Sequence, residues 1–474
     1  MSLYSKSLTN SDSQKISLYD FFFLSCLTTA FFFLNLGKGS LASWDEGVYA
    51  LVAREILKSG DWLRFTIDGS PWADKPPLCI WAMTLSYKLF GLNEFSTRLF
   101  SCLMGIGSVL VTYLFGAKLF GRWAGFLGAL VLMSSSHFIH FSKFGMMDAP
   151  VTFFISLALY FFWLGREKNR YLIFSGIVIG IAFITKSFVA LFVFPVTWIY
   201  CFWAGELKVL ARSSYWIGVI LAVLIALPWN LYEMLIYHDF YFKEAVEKHL
   251  FLRTTKVLDG HQGSLYFYIR TMVNKYHPWA LISIASAPAF LFESFRTRRK
   301  EFIFTAVWIF SIFVIVSFMQ TKLDWYILPL YPALSLTVGY YLGKLLKEKQ
   351  SKFVQAAFIV IMLLHVQYSH IFNHDYSHGL KGIAPASKPV IAPAEFVYLY
   401  NFHDAPAAGF YLEKKISYLD DPEAFLRQAK AENPFYCFVY EKDLASLNNA
   451  LSAQHLAIKA SFEDLRLVVK EKHS

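Results

Sequence analysis

The sequence predicts an all-α polytopic membrane protein of about eleven transmembrane helices with a small C-terminal α/β domain. Three observations predict it. Hydrophobic residues make up 56% and aromatics 19% of the 474 residues, while charged residues are only 16%, against roughly 25% in a soluble domain. Apolar runs recur at close to membrane-spanning length. Lys and Arg gather in alternate short loops between those runs. A mean hydropathy of +0.43 excludes a disordered, coiled-coil or ordinary cytosolic chain. The net charge of +10 reads as loop bias rather than as a nucleic-acid footprint. The five cysteines show neither a disulfide framework nor metal-ligand spacing.

In chain order the spans are expected at 18–36, 97–117, 123–139, 149–164, 171–186, 187–204, 214–232, 277–293, 301–319, 325–343 and 353–370. The first run lacks a small-x-small cleavage site and is expected to be a retained anchor. With this count the basic loops, from Lys118 and Arg122 through Arg296, Arg298 and Arg299 to Lys344 and Lys352, all share one side. That side is read as the cytoplasm. The apolar stretch 78–90 is 13 residues long, roughly 20 Å as a helix and too short to cross. It is expected to lie along the outer surface.

Residues 1–370 are therefore read as one transmembrane domain with two external loops, 37–96 and 233–276. Residues 371–474 alternate strand-like runs (396–400, 435–440, 465–469) with helical ones (422–431, 444–453). A small external α/β domain is expected there, without solenoid-type repeats.

The polar residues gather at the ends of spans on the external face. Asp45 and Glu46 open an amphipathic helix, 46–58, with Val48, Leu51, Val52 and Ile56 on one side and Arg54, Glu55 and Lys58 on another. Asp45 suits a helix cap and Glu46 a first turn. Equally, a carboxylate held at the lipid–water boundary suits a base. Lys75 in Asp74-Lys75-Pro76-Pro77 stands on stiffened backbone, which fits either a turn with a snorkelling lysine or a fixed ammonium for a lipid phosphate. Asp148 (in 143–150), Lys186 (in 185–187), and Lys322 with Tyr326 (in 320–326) join spans on the same side. Any one of them suits an exposed turn, but charges bordering apolar helices tend to be paired or functional. His370, His374 and His378 repeat at i, i+4 and i+8, a spacing open to metal on a helix but equally to an interfacial position; no metal site is expected.

The segments WDEGVYALVAREILKSGDW, DKPPLCIW and KLFGLNEFSTRL, followed by MMDAP, ITKSFVALF, NKYHPWALI and TKLDWYILPLYPAL, cover most of residues 40–345. Together they resemble the GT-C glycosyltransferases, in particular the aminoarabinose transferases of lipid A and the bacterial relatives of protein mannosyltransferases. The resemblance implies a sugar donor on a polyprenyl phosphate, undecaprenyl phosphate in a bacterial inner membrane. It implies inverting transfer on the periplasmic face to lipid A or lipopolysaccharide, another glycolipid or a protein. It implies Asp45 as base or acceptor guide, with Glu46 beside it, and Asp148 as a second acid. Lys75, Lys186 and Lys322 match residues of the donor phosphate site, and Arg54 and Tyr326 from the same segments are added to that set. No cofactor, no nucleic acid and a monomeric state are expected. Where the family pattern has arginine three residues after the first acid this chain has Val48, and Asp74 stands where glutamate is usual.

The residue types suit that chemistry. A sugar phosphate needs cations to hold it and take up its growing charge, and a carboxylate to take the acceptor's proton. The rival classes are a lipid or glycan flippase, which places charges at the bilayer midplane and pairs its halves, and a non-catalytic scaffold whose tail binds a partner.

Overall fold

The computed structural model describes residues 16–42, 44–258, 260–346, 351–368, 375–431 and 434–470; His370 and His374 lie outside the described residues. The chain divides into two compact units. The first holds 1–36, 73–82 and 98–372, and the second 37–72, 83–97 and 373–474. This differs from a simple division at residue 370, since most of 37–96 clusters with the tail.

The first unit is helical. Among the described residues every expected apolar run forms helix, but not every one as a single long element. Among the described residues five helices are long and apolar enough to cross a membrane: Glu94–Phe120, Asp148–Gly165, Arg170–Trp203, Ser213–Thr255 and Lys300–Phe318. A sixth is a pair, Arg122–Met133 and Ser136–Ser142, bent by 68°. The expected straight span 123–139 is thus corrected to a broken one, because Ser134 and Ser135 turn their hydroxyls onto the carbonyls of Leu130 and Leu132. The runs 171–186 and 187–204 join into one apolar stretch, interrupted by the 3₁₀ turn Ser187–Phe192. The N-terminal run shortens to Leu18–Phe33, and Leu78–Phe90 forms where the surface helix is expected.

Small residues set the close helix contacts. A Cβ on Gly176 would stand 2.0 Å from the Gly218 carbonyl oxygen, and one on Gly339 would stand 2.4 Å from the Gly128 nitrogen. Such approaches suit helices that cannot draw on the hydrophobic effect between them.

A charge cluster ties three of the basic loop regions together. Glu206 accepts from Arg166 at 2.5 Å and from Tyr200 at 2.9 Å, and pairs with Lys300 at 2.6 Å. Burial raises its pKa, but Arg166 and Lys300 outweigh that and bring it down to about 2 from 4.5. A lowered carboxylate pKa contributes stability above the unfolded value and loses it as pH falls. Glu206→Gln is therefore expected to cost about 1 kcal/mol at neutral pH. The difference from wild type should vanish as pH drops from 4.5 toward 2 in thermal melts.

The second unit holds a two-stranded hairpin, β1 (Thr66–Ile67) with β2 (Ser70–Pro71), and a five-stranded mixed sheet. The sheet strands are β3 (Phe396–Tyr400), β4 (Lys415–Leu419), β5 (Phe435–Tyr440), β6 (Ala457–Phe462) and β7 (Leu465–Lys470) in the order β4-β3-β5-β7-β6. β3 runs parallel to β4 and β5, and β7 antiparallel to β5 and β6. Phe425, Phe435, Val439, Leu447 and Val468 form its core. The helix Asp45–Ser59 packs on the helix Ala405–Leu412, and Gly60 closes it with φ +75°, returning its N–H to the Ile56 carbonyl. Glu94 is held by Lys381 at 2.7 Å and by the Tyr411 hydroxyl at 2.9 Å.

Candidate active site

Local structure positions the site residues before any long-range contact does. Asp148 is the first residue of Asp148–Gly165, where a carboxylate meets the positive helix end, with Pro150 in the first turn. Lys186 is the last residue of Arg170–Lys186, where a cation meets the negative end. The chain then breaks at Ser187, φ 34°. These two ends meet: Lys186 Nζ donates to Asp148 Oδ1 at 2.5 Å, with the side chains 13% and 4% exposed.

Tyr326, in the 3₁₀ turn Asp324–Leu330, completes the group. Lys186 Nζ stands 5.7 Å from its ring centre, and Arg253 Nη1 donates to its hydroxyl at 2.6 Å. Tyr326 lies within electrostatic reach of Lys75 and Asp148, and Cys79 within reach of Lys186 and Asp148. Lys75 pairs with its neighbour Asp74 at 2.7 Å and is 11% exposed. The first unit thus sets Lys186 on Asp148 and brings Arg253, Lys75 and Asp148 within reach of Tyr326. Arg253 is the member that spacing alone does not single out, since nothing local distinguishes it from other basic loop residues.

Lys322 is engaged elsewhere in that unit. Its ammonium donates to the carbonyls of Ser317 and Val316, at the end of Lys300–Phe318, and stands 5.8 Å from the Tyr268 ring centre.

The remaining candidates belong to the second unit. The helix Asp45–Ser59 begins at Asp45 itself, with Trp44 as its uncapped N-cap. The expected capping by Asp45 is corrected: the buried Glu46 carboxylate reaches back to the Ala42 N–H at 2.9 Å. Among the described residues of its own unit, the half-buried Asp45 carboxylate makes no hydrogen bond or ion pair. Arg54 is buried and donates to the Gly409 carbonyl. Burial pulls its guanidinium below the ordinary value, against Glu55, Glu413 and Asp68.

Residues 74–232 match the family model described as dolichyl-phosphate-mannose-protein mannosyltransferase. An uncharacterised protein of Aquifex aeolicus is 29% identical over 317 residues, covering 66% of this chain and 62% of its own. The undecaprenyl phosphate-alpha-4-amino-4-deoxy-L-arabinose arabinosyl transferase of Aeromonas hydrophila is 26% identical over 381 residues, covering 75% of this chain and 68% of its own. The crystal structure of ArnT from Cupriavidus metallidurans bound to undecaprenyl phosphate shares the fold, with a TM-score of 0.76 at 20% identity over 94% of this chain and 97% of that one. Matched family, fold and relatives together define the chain as a GT-C glycosyltransferase. Within that class the chain is similar to the aminoarabinose transferases.

Proposed function

We propose that the protein transfers a sugar, with inversion, from a polyprenyl-phosphate donor to an envelope acceptor at the periplasmic face of the bacterial inner membrane. The acceptor class is lipid A or lipopolysaccharide, another glycolipid, or a protein. The observation that carries this reading is the gathering of Lys186, Arg253, Lys75 and Asp148 about Tyr326, with Lys186 on Asp148. Fixed cations at the edge of apolar helices suit a lipid-borne phosphate and gain strength where water is scarce. As the glycosidic C–O bond breaks, negative charge grows on the phosphate, and Lys75 and Lys186 offset it.

In this reading Asp45 takes the acceptor hydroxyl's proton. Its support is chemical: a half-buried carboxylate that makes no hydrogen bond among the described residues of its unit. Glu46, bonded to Ala42, shapes the helix start that holds Asp45. Arg54 fastens the same helix through Gly409, and Lys322 steadies the turn that carries Tyr326. Eleven spans, an external α/β tail over 371–474, outward-facing 37–96 and 233–276, and a monomer complete the reading.

The deciding experiment uses the purified protein in detergent with an undecaprenyl-phosphate-linked sugar and a lipid A acceptor, followed by mass spectrometry. Glycosylated product is expected with release of undecaprenyl phosphate. Because transport has no meaning in detergent, a flippase gives none.

A further inference from the structure

Tyr326, about which the cations gather, is carried by the 3₁₀ turn Asp324–Leu330, seven residues long with Pro329 inside it. Such turns have poorer hydrogen-bond geometry than an α-helix and seldom run beyond about four residues. The place of this one is therefore set by what fastens it from outside. Just ahead of it the Thr321 N–H donates to the Arg253 carbonyl at 3.1 Å, and the Arg253 guanidinium returns to the Tyr326 hydroxyl at 2.6 Å. Arg253 and Tyr326 thus take their positions from one segment, 321–330. Near the far end of the turn the Trp308 Nε1–H donates to the Pro329 carbonyl at 3.0 Å.

The transfer chemistry above does not use the polar side chains that fasten this turn at its start. The imidazole of His137 reaches both of its ends. Nδ1 is hydrogen-bonded at 2.6 Å to the hydroxyl of Tyr331, the residue after the turn. Nε2 stands 3.7 Å from the carboxylate of Asp324, the first residue of the turn. Lys275, the last residue of the helix Phe267–Lys275, pairs with the same carboxylate oxygen. The His137 and Asp324 side chains are 2% and 15% exposed, while that of Lys275 is 51% exposed. His137 lies on Ser136–Ser142, the second half of the pair bent by 68°. The neighbouring Ser136 N–H donates to the His277 carbonyl at 2.9 Å. The broken span, the helix Phe267–Lys275 and the turn are thereby tied together at Asp324.

A rigid ring bonded at both ends of a turn holds those ends at one separation, and buried polar networks of this kind rigidify what they join. Tyr326 follows Asp324 by two residues. We propose that Asp324, held by His137 and Lys275, is a positioning residue that fixes Tyr326, and with it Arg253, for the lipid-borne phosphate of the donor. This rests on the donor reading above and assigns the residues that set its geometry. Precision matters there, since a displacement of about 1 Å can cost on the order of 10²-fold in rate.

The test is a double-mutant cycle read by binding, so it needs neither the sugar nor the acceptor. Purified full-length wild type, Asp324→Asn, Tyr326→Phe and the double variant are titrated with undecaprenyl phosphate, and the thermal midpoint of each is recorded. Asp324→Asn is expected to weaken binding by about 10-fold in the wild-type background and by less than about 2-fold beside Tyr326→Phe, because it acts through that residue. Lys275→Ala, at a half-exposed position, should show the same pattern at about 3-fold, and it takes the place of Asp324→Asn in the cycle should that variant not fold. Equal losses in both backgrounds overturn the assignment and mark a structural role. So does unchanged binding by Asp324→Asn, and so does a Tyr326→Phe that binds as wild type does. A wild type that does not bind undecaprenyl phosphate sinks the donor reading itself.

Discussion

Lys75→Ala is expected to slow transfer by about 10²–10³-fold, the loss typical when one charge-stabilising donor is removed. Lys75 is 11% exposed and lies within reach of Tyr326, and Pro76 and Pro77 stiffen the backbone that follows it. Removing its ammonium leaves Asp74 without that partner and lowers the positive charge beside Tyr326. Because phosphate charge grows along the reaction, the loss should fall on kcat as well as on KM. Lys75→Arg should recover only part, since a planar fork does not replace a compact ammonium. Steady-state kinetics in detergent decide it. A rise in KM alone with kcat intact would assign Lys75 to ground-state binding.

Asp45→Asn is expected to reduce turnover by about 10²–10⁴-fold while donor affinity stays near wild type. Asparagine keeps the shape of the side chain and loses the ability to accept a proton. The helix should persist, because the bond at its start is made by Glu46 to the Ala42 N–H rather than by Asp45. The contrasting variant is Glu46→Gln, which should lower stability more than it lowers chemistry. Transfer rate and undecaprenyl phosphate binding, measured on the same preparations, separate the two roles. Full transfer by Asp45→Asn would remove the base assignment and leave the phosphate group untouched.

Much of the architecture was legible because it rests on local periodicity. The three strands read from sequence, β3, β5 and β7, are the inner ones, and burial on both faces makes such strands continuous apolar runs. The two that were not read, β4 and β6, are the sheet's edges. Lys415–Leu419 has a single buried residue, and Ala457–Phe462 is largely exposed and carries an irregularity between Ile458 and Ala460. Edges carry weak patterns by design. The helix His378–Ile391 was missed for a different reason, its internal Pro385 and Pro389, which ordinarily argue against helix. The helix Ala405–Leu412 is short and opens with a proline near its start.

The sequence by itself determined which segments are apolar helices, that 78–90 is too short to cross, and that acids and lysines stand at helix ends. These follow from residue type and from the helix dipole, which act over a few residues. Only the tertiary structure decided which partner each charge takes. Lys186 meets Asp148 across 38 residues and Arg253 meets Tyr326 across 73, while Lys322 turns to the end of its own preceding helix and Glu46 to Ala42. A hydrogen bond depends on direction within a few tenths of an ångström, and that direction is fixed by the packing of helices distant in sequence rather than by spacing along the chain.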